Sequence, residues 1–207
     1  MNKFLEKFFG FLVKPAKWIL IVGGFIYATW YAVSTASGIN GNFMNVIVHL
    51  ILLFVGTALL VAVPILVLLK KDEMAKIAFL ILVGYWLLSS IIGEYRLASV
   101  LCDLTDDAGA ITEGIFMFIA GSCLLAVLVF IVIEFALKKP MMRFFAFLVF
   151  IIVIFFSFLA GLFAFINAIR WNAAWQSVID PWVEYMLLPI VVCFGYLYFS
   201  GAPKKDA

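Results

Sequence analysis

The chain has 207 residues, of which 67% are hydrophobic, 17% aromatic and only 13% charged, whereas soluble domains run at about 45–50% apolar and about 25% charged. So few charges cannot coat a soluble core of this size, so the apolar surplus must face lipid and a soluble globular fold is excluded. The net charge of +2 hides a strong asymmetry along the chain.

Six apolar runs, at 18–37, 44–69, 77–93, 111–133, 144–169 and 182–200, have about the length that a helix needs to cross a hydrocarbon layer of roughly 30 Å. The expected fold is all-α: a polytopic membrane protein with six transmembrane helices, preceded by a short interfacial amphipathic helix. Its expected divisions are a cytoplasmic amphipathic helix at 1–16, a transmembrane domain at 17–200 and a cytoplasmic tail at 201–207. The first run, with its basic head and small residues at Ser34 and Ala36, is read as an uncleaved signal anchor.

Lys and Arg resist translocation, so their distribution orients the spans. Before the first span lie Lys3, Lys7, Lys14 and Lys17. Lys70, Lys71 and Lys76 follow the second, Lys138, Lys139 and Arg143 the fourth, and Lys204 and Lys205 the sixth. The opposite side holds only Arg96 and Arg170, against Glu94, Asp103, Asp106, Asp107, Glu113, Asp180 and Glu184. Both termini are therefore expected to be cytoplasmic, with a basic inner rim and an acidic outer face, in a multi-pass protein of the cell (inner) membrane.

Taken in chain order, residues 2–14 put Phe4, Leu5, Phe8, Phe9, Phe11 and Leu12 on one helical arc and Lys3, Glu6, Lys7 and Lys14 on the other. Such a basic amphipathic helix suits an anionic membrane surface, and Pro15 is expected to end it. The first span carries Tyr27, Tyr31, Ser34 and Thr35, and the second carries His49 near its outer end and Pro64 further in. After the third span, Leu97, Val100, Leu101 and Leu104 recur at helical spacing, which predicts a separate short outer helix on the membrane surface.

Asp106 or Asp107 can cap the fourth span. Four carboxylates, Asp103, Asp106, Asp107 and Glu113, fall within eleven residues. That density of oxygen ligands suits Ca²⁺, but the EF-hand spacing is absent and capping accounts for the same residues, so no metal site is expected. Glu134, near the inner end of the fourth span, is read as pairing with Lys138 one turn on. The fifth span has nine phenylalanines between Phe144 and Phe165, a face suited to lipid or to a neighbouring subunit. Trp171, Trp175, Trp182 and Tyr185 read as a belt at headgroup depth. Asp180 and Pro181 read as the opening of the sixth span.

Ionisable groups at membrane depth usually face a cavity or another helix, which makes them the best pointers to function. His49, Glu94, Arg96, Glu113, Asn167, Arg170, Asp180 and Glu184 all fall toward the outer side and are the candidates for a pore or vestibule. An excess of acids there would concentrate cations; the same residues would also serve as ion pairs that tie helix ends together. Pro64 and Pro189 are the expected helix kinks, Pro189 at a depth where freed carbonyls can line an ion path. Gly23, Gly24 and Ala28, Gly56, Ala120 and Gly121, and Ser157 with Gly161 predict close helix approach. Gly84, Tyr85 and Ser89 recur in the same spacing as Gly195, Tyr196 and Ser200, the trace that an inverted 3+3 repeat would leave.

His49 is the only histidine, which excludes a bis-histidine haem within the chain. Of the cysteines, Cys102 alone reaches the outer side, so no intrachain outer disulfide is expected. No nucleophile elbow, zincin motif, P-loop or Cys-x-x-Cys is present, and Ser122 has no base at its depth, so neither an enzyme nor a cofactor is expected. The twelve inner basic residues are spread over four segments, which gives nucleic-acid binding no footing. The expected partners are the lipid bilayer, small cations, and either further copies of the chain or other subunits of a membrane complex. The leading expectation is a transport or channel protein for a small cation or other small solute, with an acidic outer vestibule and His49 as a pH-sensitive element. The alternative is a non-catalytic membrane subunit that anchors or assembles a partner complex.

Overall fold

A computed structural model describes residues 3–37, 39, 43–103, 108–137, 141–171, 179 and 182–200. Six helices and no strands occur among them: α1 (Lys3–Ser37), α2 (Phe43–Leu68), α3 (Asp72–Asp103), α4 (Ala108–Leu137), α5 (Met141–Arg170) and α6 (Leu188–Ser200). A π-helical turn, Val183–Leu187, leads directly into α6. Five helices are long and apolar enough to cross a membrane, over Gly10–Ser37, Val46–Leu68, Asp72–Ile92, Ala108–Phe135 and Leu148–Arg170. Their outward faces are apolar too, with Val22, Ile26, Phe54, Ile81, Ile151 and Phe155 all exposed. Water would penalise such a surface, and lipid would not, so the chain is a multi-pass membrane protein by its architecture.

Two expected breaks are absent. Pro15 does not end the amphipathic segment, because α1 runs unbroken through it from Lys3 to Ser37. A proline in a helix interior forfeits one bond and crowds the carbonyl four residues back. Here that carbonyl belongs to Phe11, next to the exposed Lys14, where water can satisfy it. Residue 16 is thus no break in secondary structure. Nor does a separate outer helix follow the third span, since α3 continues to Asp103 over 32 residues, about 48 Å at 1.5 Å per residue. No proline interrupts 72–103, and Leu97, Val100 and Leu101 lie on the same helix; Leu104, the last residue of the expected pattern, lies outside the described residues.

The chain divides into two compact units, Met1–Tyr85 with Val191–Ala207, and Trp86–Ile190. The first is built on an antiparallel α1–α2 hairpin. On α1, Ala16, Leu20, Gly24, Tyr27 and Ala28 are buried, and on α2 Gly56, Leu60, Val63, Pro64 and Val67. A Cβ on Gly24 would stand 3.5 Å from the Pro64 ring, and one on Gly56 only 2.6 Å from the Tyr31 ring edge and hydroxyl. Glycine is required at 56 because the Tyr31 ring occupies that space. Pro64, expected as a kink, lies within the unbroken α2 with its ring packed on Gly24.

From α2 to α3 the chain turns through Lys70, which has φ 57°. The Lys70 N–H donates to the Val67 carbonyl and the Lys71 N–H to the Leu66 carbonyl, the paired bonds of a Schellman turn. Glycine normally fills that left-handed position; an L side chain there costs about 1–2 kcal/mol. Where α6 joins the unit, a Cβ on Gly195 would lie 2.5 Å from the Phe79 ring and 3.2 Å from Leu20. The Tyr198 hydroxyl donates to Asp72 Oδ1 at 2.8 Å.

The second unit is built on the α4–α5 hairpin. Ala120, Leu124, Val127, Leu128 and Ile131 form the buried stripe of α4, and Val153, Ser157, Ala160, Ala164 and Ala168 that of α5. Three-and-four spacing on both sides produces a narrow apolar seam with small residues, which lets the backbones approach closely. Phe116 packs its ring on Phe163 and Phe156. Glu134 is 5% exposed and turned into the packing; Lys138, its expected partner, lies outside the described residues.

Candidate functional site

The best-defined polar arrangement near a candidate residue lies at one end of the second unit. Glu113 stands in the second turn of α4 and Asn167 in the last turn of α5. Because the two helices are antiparallel, those turns meet, and Asn167 Nδ2 donates to Glu113 Oε2 at 2.7 Å. The amide is neutral, so this bond orders the carboxylate without cancelling its charge. Arg170, one turn beyond Asn167, is exposed and places its guanidinium 5.2 Å from the Trp171 ring centroid, a cation–π distance.

The π turn sits against the same hairpin. Trp182 lays its indole on Gly161, where a Cβ would be only 3.0 Å away, and meets Phe158 edge to face at 5.7 Å. Gly161 precedes Asn167 by six residues, about 9 Å along α5, so the turn begins just below the Glu113–Asn167 pair. Trp182 therefore anchors the turn to α5 in addition to any part in an aromatic belt.

Pro189 explains why the turn is wide. It has no N–H to offer the carbonyl four residues back, and its ring would strike that carbonyl in an α-helix. The Leu188 N–H instead reaches the Val183 carbonyl, five residues back. In that register Pro189 leaves the Glu184 carbonyl without the donor it would otherwise receive. Single π turns of this kind cluster at functional sites.

The other expected residues are distributed as follows. His49 is half-buried on α2, in the first unit. Glu94, Arg96 and Asp103 fall on α3 and Glu184 on the π turn, but their side chains lie outside the described residues, as do Asp106, Asp107 and Asp180 entirely. Pro181 and Trp175, expected in a cap and a belt, lie outside them too, whereas Cys102, expected in an outer loop, falls on α3, its side chain outside the described residues. Among the described residues no three His, Cys, Asp or Glu side chains gather to hold a metal ion.

Sequence reasoning singled out the hydroxyls of Tyr27 and Tyr31 on the first span but did not anticipate that Tyr31 meets Tyr85. Tyr31 and Tyr85 share a hydrogen bond, and Tyr31 also donates to the Leu52 carbonyl at 3.3 Å. Tyr27 packs on both Trp30 and Tyr31. Tyrosines at mid-span opposite a glycine were the available signal, since a buried phenol needs both space and a partner. The repeated Gly-Tyr pair is used in two ways: no neighbour stands within 4 Å of a Cβ on Gly84, whereas Gly195 packs on Phe79.

No known protein family matches the chain, and no curated protein or solved structure is similar to it.

Proposed function

We propose that the chain crosses the membrane six times, the π turn and α6 together making the sixth crossing, with both termini cytoplasmic. In this reading it passes a small cation or other small solute through an acidic outer mouth. The Glu113–Asn167 pair carries the proposal. A half-buried carboxylate held by a neutral amide keeps the charge that attracts a cation, whereas an arginine partner would have cancelled it. The adjoining π turn, with its Glu184 carbonyl deprived of the Pro189 donor, offers backbone oxygen of the kind that transport proteins place along ion paths.

Reconstitution in liposomes tests it. Cation flux across an imposed potential is expected from the native chain, and Glu113→Gln should lower it about tenfold, the low end of what focused charge contributes to association rates. Absence of flux at every potential and pH, or flux indifferent to Glu113→Gln, removes the reading.

One observation favours a second reading, a non-catalytic subunit of a membrane complex. Phe155, Leu162, Phe165, Ile166 and Ile169 leave a broad aromatic and aliphatic face of α5 exposed. Purification in mild detergent separates the two readings: a different protein at fixed stoichiometry favours the subunit, and an isolated chain that conducts favours transport.

A further inference from the structure

We propose that the lysine-bearing end of the first unit holds an anionic phospholipid, its phosphate taken by Lys14, Lys17, Lys70, Lys71 and Lys76. The inference is independent of the transport reading.

The hairpin register brings these lysines to one level. Lys17 precedes Gly24 on α1 by seven residues, and Lys70 follows Pro64 on the antiparallel α2 by six, while Gly24 and Pro64 touch. Likewise Lys76 precedes Phe79 by three residues and Lys17 precedes Leu20 by three, and both Phe79 and Leu20 pack at Gly195. Among the described residues Asp72, which accepts the Tyr198 hydroxyl, and the exposed Glu73 share this end, and five lysines against these two carboxylates leave positive charge in excess.

Lys70 supplies a separate argument. It is the one residue other than glycine with positive φ among the described residues, at a turn position that glycine fills without strain. Strained backbone of this kind is retained where the side chain has a use, and here the side chain is exposed beside Lys71.

The surroundings select a lipid over free phosphate. Leu69 is 61% exposed, Met74 54% and Trp18 63%, with Leu68 and Ile77 exposed alongside. Inorganic phosphate gains nothing from such neighbours, whereas a phospholipid lays its acyl chains on them. Lys70 and Lys71 fall between the apolar windows that end at Leu68 and begin at Asp72, where headgroups lie, and the helix register sets Lys17 and Lys76 near the same level.

The test uses the full chain in phosphatidylcholine vesicles containing a minor fraction of brominated phosphatidylglycerol or, in parallel, the same fraction of brominated phosphatidylcholine, read by tryptophan quenching. Stronger quenching by the brominated phosphatidylglycerol is expected, and Trp18→Phe should remove much of the difference. Lys70→Gly should weaken the preference about fivefold while leaving the thermal midpoint unchanged or higher, and K17Q/K71Q about fivefold for each lysine removed. Equal quenching by the two lipids, a preference unmoved in K17Q/K71Q, or a difference untouched by Trp18→Phe overturns the proposal. Millimolar inorganic phosphate should leave the preference intact; its loss would assign the site to free phosphate and overturn the lipid assignment.

Discussion

The α1–α2 and α4–α5 hairpins solve the same problem with different chemistry. Inside lipid there is no hydrophobic drive to bring helices together, so association rests on close packing and on hydrogen bonds. The first hairpin uses both at mid-span: Tyr31 fills the notch at Gly56 and fastens itself to the Leu52 carbonyl and to Tyr85. The second relies on a smooth seam of alanines and branched side chains. Its clasp, Glu113 with Asn167, stands at one end, and the hydroxyl of Ser157 in the seam has no hydrogen-bond partner among the described residues. A polar pin at the centre fixes register against sliding in either direction. A clasp at the end leaves the seam to shape alone, and leaves the clasp itself near the surface, where a solute can reach it.

The sharpest way to break this contrast is Gly56→Ala. The new methyl would lie 2.6 Å from the Tyr31 ring and hydroxyl, so the ring must swing away and give up its bonds. A loss of about 1–3 kcal/mol is expected from overpacking, net of the helix propensity that alanine gains, measured as unfolding free energy in detergent or bilayer. A neutral outcome would mean that the tyrosine is not the pin. Tyr31→Phe is a gentler probe, because it keeps the ring in its notch and removes only the hydroxyl. Intramembrane hydrogen bonds average about 0.6 kcal/mol with a maximum near 1.7, so a loss in that range is expected. In the Tyr31→Phe background, Gly56→Ala should cost less than it does alone, since the hydrogen bonds are already gone.

What could be read in advance follows the same division. Helices, their lengths and their apolar outward faces were legible because lipid imposes composition directly on each span. Gly24, Gly56 and Gly161 could be read as points of close approach, and all three face a ring. Which ring was not legible, because it depends on the register of two antiparallel helices. For the same reason Glu113 reads as a partner for arginine, yet accepts from Asn167. Pro15 and Pro189 show the limit of a local rule: each lacks the same N–H, but Pro15 stays within a continuous helix near water and Pro189 follows a widened turn. The matching Gly-Tyr-Ser spacing at 84–89 and 195–200 suggests duplication, but the opposed surroundings of its two glycines give that repeat no support.

The smallest expected effect sharpens the account of the second hairpin. Ser157 is 1% exposed and its Oγ has no hydrogen-bond partner among the described residues. A buried hydroxyl without a partner carries its desolvation cost with no return. Ser157→Ala leaves the methylene in the seam, removes the polar atom and adds an alanine opposite the small residues of α4. Stability should therefore stay level or rise by a few tenths of a kcal/mol, the opposite sign to Tyr31→Phe. A clear loss on Ser157→Ala, checked in the same unfolding assay, would mean that this hydroxyl holds a water or a helix carbonyl at mid-membrane. The second hairpin would then have a central pin of its own, and the contrast between the two would fall.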